Sequence, residues 1–176
     1  MRPSSLMTLC GAGLLCFASS AHGKVAATSI EELVAESGLI VVAKVRSVET
    51  VSGGKRAARA QVQEVWKGPH HREVLFNASP TWTCDISEAK VGEEAVLFLG
   101  VGKPGELVYI SHSGRGRMPL REVSGKRYAT LWVGDVILPN EAATIPGPEN
   151  EYSFIRSIEL DSLKSLVQRL VLTNGE

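Results

Sequence analysis

Residues 39–68 read LIVVAKVRSVETVSGGKRAARAQVQEVWKG, and this stretch decides the fold. Val41, Ala43, Val45 and Ser47 alternate with Val42, Lys44 and Arg46. In an extended chain such neighbours point to opposite faces. Both sets begin apolar and rich in β-branched residues, so this strand is buried on both faces over its first half. Ser52-Gly53-Gly54 supplies a turn. Ala60, Val62, Glu64 and Trp66 then oppose Gln61, Gln63 and Val65, giving a second strand that returns along the first as a long hairpin. Strict alternation places Trp66 on the face of Val62, the core side, and a bulge would change that. Lys67-Gly68-Pro69 ends the hairpin.

Upstream, Ser29 and Glu32 have the spacing of a capping box before Ile30, Leu33 and Val34. The spacing predicts a short helix over Ile30–Ser37, closed by Gly38. Downstream, REVLFNA is a third strand, and Ser79 to Lys90 is a long connection with one helical turn. VGEEAVLFLGVG is a fourth strand, central because Ala95–Leu99 is wholly apolar, and ELVYISHS is a fifth. Two more short strands flank Ser124-Gly125. The segment ILPNEAATIPGPENEY, with Pro139, Pro146 and Pro148, reads as a surface loop. At the end Leu160, Leu163, Leu166, Val167, Leu170 and Val171 recur at helical spacing, with Asp161 or Ser162 as the cap. The expectation is a mainly β fold: a small closed barrel of OB type with a short N-terminal helix and a C-terminal helix packed on it. A β-sandwich is the alternative.

The chain has 176 residues, 44% hydrophobic and 22% charged. That composition excludes collagen, coiled-coil, disordered and disulfide-dense classes, and the length suits one domain. Residues 1–23 show a lone Arg2, an apolar run from Leu6 to Ala18 and a small-residue end, the pattern of a secretory signal peptide. The apolar run is too short to span a membrane. Cleavage fits after Ala21 or after Gly23, leaving residues 24–176 as the single domain. Neither Cys10 nor Cys16 follows a small residue, so neither suits lipid attachment. A chain starting at Lys24 keeps 18 basic and 19 acidic residues, a balance that argues against nucleic-acid binding through a basic field. It also keeps one of three cysteines, Cys84, so no internal disulfide is expected and stability rests on the core.

The run from Ser29 to Leu99 resembles the netrin-like and tissue-inhibitor-of-metalloproteinase-like OB-fold modules found in exported bacterial proteins. The resemblance rests on SIEELVAESGLIVVAKVRSV as leading helix and first strand, and on AQVQEVWKG with its V-x-x-V-apolar-K-G ending. It continues in Cys84 followed by a VGE turn, and in VGEEAVLFL as fourth strand. The resemblance implies a shared barrel. The animal inhibitors begin with a Cys whose amine and carbonyl ligate the protease zinc and staple the barrel with several disulfides. Here His22 or Lys24 would come first, so that role is carried to no residue. A terminal His22 would place an amine beside an imidazole, a minor metal-binding option.

Other residues weigh differently. Cys84 with His112, His70 or His71 is the candidate nucleophile–base pair, but Asp85 beside it raises a thiol pKa and a structural Cys is the simpler reading. An intermolecular disulfide is a further minor option. Adjacent His70 and His71 point to opposite faces and read as a solvated turn. Arg115 and Arg117 in SGRGRMP share a face that suits an anionic surface, with a solvated hairpin as the simpler account. Trp66, Trp82 and Trp132 suit a stacking platform or, more simply, core packing. Asn77-Ala78-Ser79 is a glycosylation sequon. The C-terminal helix stripe packs on the barrel or serves a partner. The expected function is an exported, periplasmic or extracellular, non-enzymatic binding module whose partner is a protein or cell-envelope component. No residue is assigned to catalysis, a cofactor or a metal, and neither nucleic acid nor a membrane anchor after cleavage is expected. The alternatives are a metalloprotease inhibitor acting without an N-terminal Cys, and a Cys84-dependent hydrolase or oxidoreductase.

Overall fold

The computed structural model describes residues 27–78, 88–100, 108, 110–111, 114–132, 136–148 and 155–173. The expected signal segment 1–23, Cys84, His112 and Trp82 lie outside these residues.

β1 (Thr28–Ser29) leads into α1 (Ile30–Glu36) through the expected capping box. Ser29 Oγ accepts the Glu32 N–H at 3.1 Å, and Glu32 Oε2 accepts the Ser29 N–H at 2.9 Å, so two otherwise orphaned donors are satisfied together. The far end departs from expectation. Its C-cap is Ser37 in extended backbone, not a left-handed Gly38. The Ser37 hydroxyl donates to Leu33 O at 2.7 Å. Lys67 Nζ donates to Val34 O at 2.7 Å and Ala35 O at 3.3 Å. The last turn of α1 has no basic residue of its own, so Lys67 brings the cation that a helix C-terminus favours.

β2 (Leu39–Thr50) and β3 (Arg56–Lys67) form the long hairpin around a 3-10 turn at Ser52–Gly54. β4 (Glu73–Asn77), β5 (Glu94–Leu99), β6 (Arg117–Val123) and β7 (Lys126–Trp132) follow. β6 and β7 join through Ser124 and Gly125, with φ 51 and 76, the positive pair that a tight two-residue hairpin needs. The segment 137–152, expected as a surface loop, begins at the end of β8 (Val136–Ile137) and holds β9 (Thr144–Pro146). Pro146 is tolerated because β9 is an edge strand, where a missing N–H costs no ladder bond. β10 (Ile155–Glu159) then runs directly into α2 (Leu160–Thr173). Asp161 therefore sits in the first turn of α2.

The eight main strands form one antiparallel sheet in the order β4-β3-β2-β5-β6-β7-β10-β9, and β1 pairs with β8 in parallel. This sheet is not closed into a barrel, which corrects the expected closed architecture. β6 takes the free edge of β5 at Ala95–Leu97, so the sheet continues outward and ends at β9 instead of returning to β4. Beyond the named strands, Phe76 of β4 bridges Val108 in parallel and Leu99 of β5 bridges Ile110 antiparallel. Asn77 N–H donates to Val108 O at 2.9 Å and Val108 N–H to Leu75 O at 3.0 Å.

β2 and β5 divide two hydrophobic cores. Ile40 and Val42, with Val96 and Phe98, face α1 and α2 and meet Leu33, Met118, Leu131, Ile158 and Leu163. Val41, Ala43 and Val45, with Ala95, Leu97 and Leu99, face the curl of β3 and β4 and meet Ala58, Ala60, Val74 and Phe76. The double burial read from residues 39–45 thus has a direct cause: one strand supplies both interiors. Three register shifts interrupt β2–β3, after Ile40, after Val42 and between Val45 and Ser47. The shift opposite Val42 turns Trp66 away from Val62. Val62 and Val65 pack with the strand-lined core, while Trp66, 6% exposed, belongs to the helix-covered one. Trp66 is buried as expected, but on the other side, because a bulge adds one residue to one strand and reverses facing beyond it.

Candidate functional site

The residues of the V-x-x-V-apolar-K-G ending and of the VGE turn serve the scaffold. Val65 fills the strand-lined core, Trp66 the helix-covered one, and Lys67 caps α1. Gly68 has φ +90, and a Cβ there would overlap the carbonyl oxygen of Gly38. Lys67 and Gly68 therefore hold the α1–β2 corner against the end of β3. Glu93, in the turn before β5, binds Arg117 in a two-pronged pair: Nε to Oε1 at 2.8 Å and Nη2 to Oε2 at 2.6 Å. Nη2 also donates to Glu88 O at 3.2 Å. The side chains are 3% and 14% exposed for Arg117 and Glu93.

That ion pair corrects the solvated-hairpin reading of SGRGRMP. Arg117 is buried and matched by a carboxylate, and Arg115 is half-buried. An anion-binding face made from both guanidinium groups is not what the fold builds. Local sequence gave no sign of this, because Glu93 and Arg117 meet only through β5–β6 pairing.

The remaining sequence candidates are scattered. His70 is exposed and His71 half-buried in the turn between β3 and β4. Among the described residues, no group of three His, Cys, Asp or Glu side chains is placed to hold a metal. Asn77 is buried, 7% exposed, in β4. A sequon needs an exposed amide, so the folded chain does not present Asn77 for glycosylation. The stripe of α2 packs inward through Leu160, Leu163, Leu166 and Val167. No helix among the described residues is long and apolar enough to cross a membrane.

What the fold does present is a groove of about 460 Å³ beside α2. Ile158 and Leu166 lie at its floor, and both are buried. One wall is the loop from β8 to β9, with Pro139, Glu141, Ala142 and Ala143. The other is the outer side of α2, with Asp161, Ser162, Ser165 and Arg169. Glu159 lies at one end and is held by Lys126 Nζ at 2.9 Å. The groove is shallow and open to solvent, with polar and apolar side chains both in its lining. Sequence reading missed this groove because it treated the β8–β9 segment as an unstructured loop.

A second polar region continues the helix-covered sheet face past the edge of α2. Lys164 Nζ lies 2.7 Å from Glu64 Oε2, which also accepts the Trp66 indole N–H at 3.1 Å. The Lys164 hydrogen bond lowers the Glu64 pKa against the opposing effect of burial, with help from Trp66 and from the charges of Lys164 and Arg127. Glu94 lies 3.1 Å from Lys44 and 3.4 Å from Arg127. Its pKa is also lowered: burial is the largest single influence and raises it, but hydrogen bonds from Lys44 and Gln63 and both nearby cations together outweigh that.

No protein-family model matches the chain, and no curated protein matches it.

Proposed function

We propose that this chain is an exported, non-enzymatic binding module of the netrin-like and tissue-inhibitor-like type, and that the groove between α2 and the β8–β9 loop is its contact face. One observation supports the reading: the described fold holds a shallow, solvent-open groove of about 460 Å³ beside α2, lined by both polar and apolar side chains. The motif residues support it by their duties. Trp66, Lys67, Gly68 and Glu93 each serve packing, capping or a turn, so the resemblance describes a scaffold.

The test is site-specific photo-crosslinking in the native envelope or medium. A photoreactive amino acid replaces exposed Ser165 in the groove or exposed Gln61 on β3. A discrete adduct at Ser165 and none at Gln61 is expected. Adducts at Gln61 alone would overturn the assignment of the face, and none at either position would overturn the binding-module reading.

A further inference from the structure

We infer that Arg121 and Arg156 close the β9 edge of the sheet against strand addition, so that this chain does not pair edge to edge with a second copy of itself. Among the described residues, β9 is the last strand of the sheet. Just past it, Gly147 N–H donates to Ile155 O at 3.0 Å, and within it Ile145 lies opposite Ser157. Bonding direction alternates along an antiparallel strand. Ile145 and Gly147 therefore bond toward β10, while Thr144 and Pro146 turn their backbone groups to the open side. That side presents the Thr144 N–H and the carbonyls of Thr144 and Pro146, and Pro146 has no N–H to add.

Both outward carbonyls are bonded by arginines, one from each face of the sheet. Leu120 and Ile158 pack with the helix-covered core, so Arg156 shares that face and Arg121 lies on the other. Arg156 donates from Nε to Thr144 Oγ1 and from Nη2 to Thr144 O, both at 3.2 Å. Arg121 donates from Nε to Ser157 Oγ at 3.0 Å and from Nη2 to Pro146 O. Ser157 is fully buried, which anchors this strap in β10 before it reaches β9. Among the described residues, the hydrogen bonds of both guanidinium groups go to neutral oxygens and not to carboxylates. A second β9 edge would have to displace both groups from the pairing line, and would bring two more cations against them. The opposite end of the sheet is covered differently: Val108 bonds the outer side of β4 through Asn77 N–H and Leu75 O.

Sedimentation over a range of protein concentrations, with amide hydrogen exchange at Thr144, tests this in the whole chain. The unaltered chain is expected to show no association through β9, and its Thr144 amide to exchange at one rate at every concentration. Arg121→Gln with Arg156→Gln is expected to associate at least about tenfold more tightly. Its Thr144 exchange should slow as concentration rises, because that N–H becomes bonded in the pair. Adding Pro146→Val, which returns the missing N–H, is expected to tighten the association further. Arg46→Gln with Arg59→Gln removes the same charge from exposed positions on β2 and β3, and is expected to leave the chain as it was. A double variant at Arg121 and Arg156 that keeps its circular dichroism and does not associate overturns the inference. So does association with an unchanged Thr144 amide, or equal association in the Arg46 and Arg59 control. Should the double variant lose its fold, Arg156→Gln with Pro146→Val keeps the bond from Arg121 to Ser157 and is judged by the same outcomes.

Discussion

On one side of β2 and β5 the interior is rich in alanine, with Ala43, Ala58, Ala60, Ala78, Ala89 and Ala95 beside valines, and Leu39, Leu97, Leu99, Ile110 and Phe76 are its larger members. On the other side it is filled by Trp66, Phe98, Met118, Leu131, Ile158 and the leucines of α2. The difference follows from what covers each face. Bulged strands curl close over the first face, and close backbones leave room for small side chains. Helices stand off from the second face by the length of their own side chains, so large residues are needed to fill the layer to normal density. One pair of strands serves both faces, which couples an alanine-rich interior to one with larger side chains.

The largest expected effects come from emptying either interior. Phe98→Ala and Phe76→Ala should each cost about 3–5 kcal/mol, because both rings are fully buried. Denaturant unfolding should show one transition in both variants, since β2 and β5 belong to each core. Two separated transitions in Phe76→Ala would show that the helix-covered side holds without the strand-lined one.

The next test concerns the pair that ties β6 to the turn before β5. Glu93→Gln leaves the Arg117 cation buried without a counter-charge and should cost about 3 kcal/mol. Arg117→Met leaves Glu93, which still touches solvent, and should cost less, about 1–2 kcal/mol. Urea midpoints measure both. The reverse order would mean that the carboxylate, and not the guanidinium, depends on the pairing.

The same comparison explains what was legible in the sequence. The double burial of residues 39–45, the capping box and the stripe of α2 were readable, because each is a local pattern of period 2 or 3.6. The side on which Trp66 lies was not, because bulges depend on how two strands match in length. Barrel closure was over-read: five strands looked sufficient, but the edge of β5 was shared by β6 through pairing that local sequence does not encode. The groove escaped notice for a related reason. β9 exists only through its pairing with β10, and three residues around a proline give no periodic signal.

Lys67→Met separates capping from packing at the corner where the two cores meet. The aliphatic stem is kept and the bonds to Val34 O and Ala35 O are lost. A loss of about 1 kcal/mol is expected, with hydrogen exchange faster in α1 than in β3. Equal acceleration in both elements would show that Lys67 holds the strand as much as the helix.

The smallest effect distinguishes the carboxylate beside α2 from the one on the bare sheet. Glu64 and Glu94 both have lowered pKa values in the folded chain. The unfolded chain then binds the proton more readily, so their contribution is fully present above the ordinary carboxylate pKa. It is lost as pH falls through the lowered folded values. Both side chains are about a third exposed, and solvent screening holds each contribution below about 1 kcal/mol. Stability alone will not separate them, but the Trp66 indole will, because it donates to Glu64 and not to Glu94. Its N–H resonance should titrate with Glu64. In Lys164→Met the midpoint should rise toward the ordinary carboxylate value, since the Lys164 bond is the main cause of the lowering. In Lys44→Met it should stay in place. An indole midpoint that follows Lys44 instead would join the two carboxylates into one network and remove the distinction between the helix-covered and bare parts of this face.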